Sequence, residues 1–320
     1  MKVKSINFLK VYLITNFCKM KKNKLFLFLI FLNLILSCKD SKKDSIIKNN
    51  SIPETKIDTI SKEVATVKNK TEEILDKLNK DKIDLIAKLK SSEVNNQNKL
   101  YESYKRNRED LVIELNNAEA NLLEKYIYFY DEKSQKIVLP DSLKKKNQSF
   151  KKANIEFWEI GEGYTELRTK PDFYYNLFKN QLTSDYNDFL EIESKEDLVL
   201  YSADAGIIIP FKEVAERVLN WEKFLNKYPS SKLYGQAREN YLFYIMDYLF
   251  GEDNTPTIDY QSKAIYPENK IEFERFISKN PTSKSVVLVQ FLLDNIDKTE
   301  STDDLRKILD KESSKYFIKK

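Results

Sequence analysis

The chain of 320 residues contains no histidine, which removes His-based triads, His general bases and His metal ligands at a stroke. Any chemistry must come from carboxylates, Lys, Arg, Tyr, Ser or Thr. The densest carboxylates near glycine are Glu156, Glu159 and Glu162, around Gly161 and Gly163, with Asp204 two residues before Gly206. Read as helix, Glu156 and Glu159 are three apart and share a face. Paired carboxylates acting as acid and base on a glycan are the common hydrolytic chemistry that needs no histidine. Acids of this kind more often serve a helix surface or a cap. A second stretch, Gly251 to Tyr260, alternates oxygen-bearing side chains at Asp253, Thr255, Thr257 and Asp259. Calcium takes six to eight oxygens, but the EF-hand glycine and closing glutamate are absent, and a turn capped by Asp253 or Asn254 explains the same residues. No catalytic residue, metal ion or cofactor is assigned on this basis.

The two cysteines narrow the chemistry further. Cys38 closes the stretch Lys21 to Cys38, in which Lys21, Lys22 and Lys24 precede an apolar run from Leu25 to Leu36 and a small residue, Ser37. A membrane-spanning helix needs about 20 apolar residues, and this run is shorter, with lysines only on its N-terminal side; it has the build of a secretory signal. Met20 opens a conventional start for it. Ile35-Leu36-Ser37-Cys38 resembles a bacterial lipobox. That resemblance implies cleavage before Cys38, acylation of its new N-terminus and a lipid bilayer as partner. Each buried CH₂ stabilises such an anchor by about 0.8 kcal/mol. Lys39, where aspartate favours the inner membrane in Gram-negative systems, implies the outer membrane, facing the periplasm or the cell surface. Removal of residues 1–37 takes Cys18 with it, so no disulfide forms in the mature chain.

Charge then changes sign. The full chain carries 54 Lys+Arg against 50 Asp+Glu, but residues 1–37 hold seven lysines and no acid, so the mature chain is at −3. Lys and Glu alternate along most of it, as on solvated helical faces, and a nucleic-acid partner is excluded for lack of a basic cluster.

The elements that would position these residues are helical. Five glycines are too few for a fold built on hairpins. Residues 38–59, rich in Ser, Lys, Asp and Asn, predict a disordered tether. No proline or glycine interrupts the chain between Pro53 and Pro140. Ile60, Val64, Val67, Ile74, Leu78 and Leu85 fall on a four-three spacing, and residues 60–94 are expected to form a helical stalk, as one partner of a coiled coil or as a helix followed by another. Asn95, Asn96 and Asn98 mark the break. Tyr101, Tyr104, Leu111, Leu115, Ala118, Leu122, Tyr126 and Phe129 continue the spacing, with Arg108 a polar intrusion on the seam. The aromatic end, Tyr126 to Tyr130, is too rich in large side chains to be left in water. Beyond Pro140 a helical stretch is expected to end near Arg168, and Ile207 to Ile209 to form a buried loop or helix start. Pro210 suits the first turn of a helix over Phe211 to Lys227.

Two segments echo each other at an offset of 52: Trp221-Glu-Lys-Phe-Leu-Asn-Lys-Tyr-Pro-Ser-Ser-Lys232 and Phe273-Glu-Arg-Phe-Ile-Ser-Lys-Asn-Pro-Thr-Ser-Lys284. Each predicts a helix ending before proline, with Ser231 or Ser283 placed to cap the next helix. The turn resembles the junction in tetratricopeptide-like repeats of bacterial envelope lipoproteins, over about residues 211–298. Such repeats recur at about 34 residues, so the insertion from Gly251 to Pro267 leaves a compact helical domain as an equal alternative to a superhelix. The resemblance implies binding of proteins or peptides in a groove.

The sequence therefore predicts an all-α lipoprotein: signal 1–37, tether 38–59, stalk 60–94 and a domain of antiparallel helix pairs over 95–320. Its expected work is non-enzymatic binding of an envelope protein or peptide. An envelope hydrolase using paired carboxylates, or a structural spacer, are the alternatives.

Overall fold

The computed structural model describes residues 55–318, with side chains from Lys70 onward except at positions 94 and 95. The signal, Cys38 and most of the expected tether lie outside these residues; Thr55 to Thr59, at the tether's end, are helical. The chain divides into Met1–Val64 and Ala65–Lys320, and the description below concerns the second unit.

The fold is all-α. The first helix among the described residues, α1 (Thr55–Lys90), is followed by α2 (Val94–Ala118). The two are antiparallel: Lys70 pairs with Glu114 at 3.0 Å, Thr71 Oγ1 donates to Glu119 at 2.7 Å, and Gln97 Nε2 donates to the Leu89 carbonyl at 3.1 Å. From Thr71 onward α1 is therefore part of the folded body and not a freestanding stalk. Ile74, Leu75, Leu78, Leu85 and Leu89 are buried, because their periodic face meets α2 and the elements beyond it. The break falls at Ser91 to Glu93, ahead of the three asparagines, and Asn98 instead bonds Thr183 on a distant segment.

Arg108 stays on the buried face, at 2% exposure. Its Nη2 donates to the Ala153 carbonyl at 2.5 Å and its Nε to Thr169 Oγ1 at 3.0 Å, while the guanidinium lies 4.2 Å from the Phe173 ring centre. A cation can be buried here because backbone and hydroxyl oxygens replace its water.

After α3 (Ala120–Lys125), a 3₁₀ turn (Tyr126–Phe129) and a small hairpin, β1 (Tyr130–Asp131) with β2 (Lys136–Ile137), comes α4 (Asp141–Lys152). Here the structure departs from the expected helix to Arg168. Asn154 takes a positive φ of 58°, and an antiparallel hairpin follows, β3 (Ile155–Gly161) with β4 (Tyr164–Thr169). Ile155-Glu-Phe-Trp-Glu-Ile is rich in β-branched and aromatic residues, which pack well on a pleated surface. Gly161, Glu162 and Gly163 all have positive φ and form the turn. Ile155, Phe157 and Leu167 pack against Phe150 of α4, and Asn116 of α2 holds the hairpin by its backbone. Its Nδ2 donates to the Leu167 carbonyl at 2.7 Å, and its Oδ1 accepts from Leu167 N at 2.8 Å.

The C-terminal half stacks α5 (Phe173–Phe178), α6 (Ser184–Glu196), α7 (Phe211–Lys227), α8 (Tyr234–Phe250), α9 (Pro267–Lys279), α10 (Ser285–Asn295) and α11 (Thr302–Ser313). Two short hairpins interrupt them: β5 (Ser202–Ala203) with β6 (Gly206–Ile207), and β7 (Gly251–Glu252) with β8 (Thr255–Pro256). Ile207, expected in a loop or helix start, is thus a strand residue paired with Ser202, and Pro210 stands at the N-cap of α7 rather than in its first turn. The largest core lies here, around Phe189, Trp221, Tyr241, Tyr248, Phe273 and Leu292.

The two echoing turns have the same geometry. Tyr228 and Asn280 end their helices at φ/ψ of −127°/58° and −128°/48°, and each donates its N–H to the phenylalanine four residues earlier. Trp221 and Phe273, at equivalent positions, are both fully buried. Ser231 stands two residues before the N-cap Leu233 and Ser283 one residue before the N-cap Lys284, so they are not the caps themselves. Each Oγ accepts from the N–H two residues on, at 3.1 Å, and donates to an acid on an earlier helix, Asp185 or Glu222.

Candidate functional site

The four candidate carboxylates, Glu156, Glu159, Glu162 and Asp204, lie in different surroundings. Glu156 accepts from Arg168, Nε at 2.9 Å and Nη2 at 2.8 Å, and that guanidinium lies 3.3 Å from the Trp158 ring centre. Glu156 and Glu159 were expected on one helix face; on a strand, three residues apart, they point to opposite sides. Glu159 is exposed. Glu162 and Asp204 do meet, where the β3–β4 and β5–β6 turns touch so closely that a Cβ on Gly161 would come within 2.7 Å of Ala203 Cβ. A hydrogen bond with Asp204, then desolvation and the neighbouring charge, raise the Glu162 carboxyl above its usual range. Both groups are exposed.

The oxygens weighed as a calcium loop against a capped turn make hydrogen bonds within the protein. Thr255 Oγ1 accepts from Ile207 N at 2.8 Å, and the fully buried Thr257 Oγ1 donates to the Leu249 carbonyl at 2.5 Å. Asp259 Oδ1 accepts from Gln261 N, Ser262 N and Ser262 Oγ at 3.0, 2.7 and 2.9 Å, which holds its pKa below the usual carboxylate range. Asp253 is exposed at the β7–β8 turn. Among the described residues no group of three His, Cys, Asp or Glu is placed to hold a metal ion.

A different set of ionisable groups comes together. Helices α2 and α6 run parallel, paired in order by Asn98 with Thr183, Glu102 with Tyr186 and Lys105 with Glu193, the last at 3.2 Å. One turn farther along each helix, Glu109 and Asp197 lie within electrostatic reach of the Lys105–Glu193 bridge. Desolvation pushes Glu109 up to about 7, against the attraction of Lys105. Asp197 is accessible to solvent but crowded by protein, and is pushed up to about 6, with Glu193 adding to the effect. Behind it, Glu196 Oε2 accepts from Trp221 Nε1 at 3.2 Å and Tyr244 Oη at 3.0 Å, while its Oε1 has no hydrogen-bond partner. Burial pushes Glu196 up to about 8, although Arg217 pulls the other way.

No family, curated protein or solved structure matches the chain. Sequence reading missed the α2–α6 seam because no local pattern distinguishes Lys105, Glu109, Glu193 and Asp197 from the other charged helix positions. Their i, i+4 spacing was the one available signal, and it is shared by many solvated faces.

One group of exposed side chains is largely aromatic. The expected burial of Tyr126 to Tyr130 holds only in part: Tyr126 is buried and stacks on Phe157 at 4.4 Å, but Tyr128 is 81% exposed and Tyr130 47%. Val138, whose N–H donates to the Phe129 carbonyl at 2.8 Å, and Tyr164, beside the Gly163 that sits against Ile127, are exposed as well. The 3₁₀ turn, the β1–β2 hairpin and the start of β4 thus carry four large apolar side chains that the core does not take up.

Among the described residues no helix is long and apolar enough to cross a membrane.

Proposed function

We propose that the chain is a lipid-anchored lipoprotein of a bacterial cell envelope, held in the outer membrane through acylated Cys38, and that its helical body binds a protein or peptide partner. The anchor is supported by the Lys21 to Cys38 stretch. The observation that carries partner binding is the exposure of Tyr128, Tyr130, Val138 and Tyr164 on adjoining elements. Soluble surfaces rarely leave several large apolar groups together in water without a use, and tyrosine is among the residues enriched where partners bind. The α-helical body beneath supplies a rigid support. The tetratricopeptide-like turn over residues 211–298 agrees with the same reading, since such folds serve as binding scaffolds.

The test is recovery of an envelope partner by the lipidated full chain and by a Tyr128→Ser, Tyr130→Ser, Tyr164→Ser variant. A partner held by the first and lost, by about 10-fold or more, with the second is the expected result, because truncating buried aromatic anchors costs about 2 kcal/mol or more each. Equal recovery by both would remove the aromatic surface from the account. Cys38→Ser is expected to release the protein from membranes, and unchanged membrane retention would refute the anchor.

A further inference from the structure

The C-terminal segment passes over the start of α8 and leaves a cavity of about 310 Å³, lined by Tyr234, Gly235, Arg238, Ser314 and Ile318. That volume is at the small end of the roughly 300 to 1,000 Å³ of ligand sites. Tyr234 is 5% exposed, yet its hydroxyl makes no hydrogen bond among the described residues. Burial raises its pKa, with Arg238 opposing, so at neutral pH it remains an O–H donor.

Arg238 sits one turn along the same face. Its Nη2 donates to the Ser314 carbonyl at 2.6 Å and its Nε to the Tyr316 carbonyl at 3.2 Å, which fixes the guanidinium against the C-terminal segment. Both acceptors are neutral. Among the described residues no carboxylate pairs with this cation, and Nη1 is unbonded. The helix start adds to the same polarity. Leu233, the N-cap, offers no side-chain acceptor, and the N–H groups of Gly235 and Gln236 find none in the backbone. Gly235 keeps the entrance clear, since a Cβ there would meet no atom within 4 Å.

We propose that this cavity binds a carboxylate carried on a compact apolar group, from the C-terminal residue of a peptide or from a free carboxylic acid. The carboxylate meets Arg238 and the Tyr234 hydroxyl, and the apolar part lies against the Tyr234 ring and Ile318. One guanidinium and one phenol balance a single negative charge; a phosphate dianion would leave charge unneutralised against apolar walls. The site lies on α8 and the C-terminal segment, apart from the exposed tyrosines, and stands whether or not those bind a partner.

The experiment is calorimetric titration of the full chain in detergent with acetyl-Ala-Ala-Leu, its C-terminal amide, and hexanoate. Binding of the free tripeptide with a loss of about 10-fold or more for the amide is expected, as for a hydrogen-bonded charge. Tighter binding of the tripeptide than of hexanoate assigns a peptide end, and the reverse assigns a free acid; either supports the site. Arg238→Gln also loosens the C-terminal segment, so two further variants carry the test. Tyr234→Phe removes only the unbonded hydroxyl and should weaken binding about 3- to 10-fold. Gly235→Leu, which fills the entrance while favouring helix, should abolish binding without loss of thermal stability. Failure of both acids to bind at 10 mM, equal binding of the amide, or unchanged binding by Gly235→Leu would overturn the proposal.

Discussion

Glu222 on α7 closes the N-terminus of α10 through Ser285: its Oε2 accepts from Ser285 N at 3.2 Å and Ser285 Oγ at 2.6 Å. The same carboxylate accepts from Ser283 Oγ at 2.7 Å and Lys284 N at 2.8 Å. An acid from the first helix pair thus does for the second what a local cap would do, and it joins the two echoing units. Glu222 is 6% exposed and Ser285 is fully buried, so these bonds have no water to replace them.

Glu222→Ala should therefore destabilise the protein by about 3 kcal/mol, since it strands several buried donors at once. Urea denaturation measures the loss, and hydrogen exchange should speed up first at Lys284 and Ser285. Glu222→Gln should recover part of it, because an amide oxygen accepts from the same N–H groups.

Arg108→Met should cost about 2 to 4 kcal/mol by leaving the Ala153 carbonyl and Thr169 without their donor in a buried seam. Arg108→Lys should not restore it, because an ammonium cannot span both acceptors while lying against Phe173. Thermal unfolding of the three proteins gives the comparison.

Stability should fall as pH rises from about 4.5 to about 8. Glu109, Asp197 and Glu196 are pushed up to about 7, 6 and 8 in the folded chain, from 4.5 for Glu and 3.8 for Asp. Between those limits the folded protein holds protons that the unfolded chain has released, so unfolding becomes easier with each step toward alkaline pH. Asp197, being exposed, contributes least. In Glu196→Gln the amide oxygen keeps the bonds from Trp221 and Tyr244, and the decline between pH 6 and 8 should flatten. An unchanged slope in denaturation curves across pH would contradict this assignment.

Gly251 and Gly235 should respond in opposite ways to alanine. A Cβ on Gly251, at φ 68°, would lie 2.0 Å from the Thr255 carbonyl oxygen, so Gly251→Ala should forfeit the β7–β8 turn and about 2 kcal/mol or more. Gly235, in the first turn of α8 and facing open space, should gain a smaller amount, about 0.5 kcal/mol, on the same change. Paired melting curves distinguish the two.

Much of the architecture was legible in local pattern. The helix over Phe211–Lys227 and the 52-residue echo followed from apolar spacing, from prolines that cannot continue a helix and from serine beside the next helix start. Scarcity of glycine pointed to an all-α chain. It misled at Gly161 and Gly163, where two glycines suffice for one hairpin and the strand residues Ile155 to Ile160 were read with a helical period. The absence of histidine fixed which chemistries are closed, and Lys21 to Cys38 carries the expectation of a lipid anchor.

Tertiary structure decided what each charged residue does. Glu156 and Glu222 are both glutamates in polar, amphipathic surroundings, yet one is tied to Arg168 and the other caps a helix 63 residues away in sequence. Charge and hydrogen-bonding capacity belong to the residue. Desolvation, partner and distance belong to the packing, because they are set by residues such as Lys105 and Glu193 that are 88 apart in sequence and 3.2 Å apart in space.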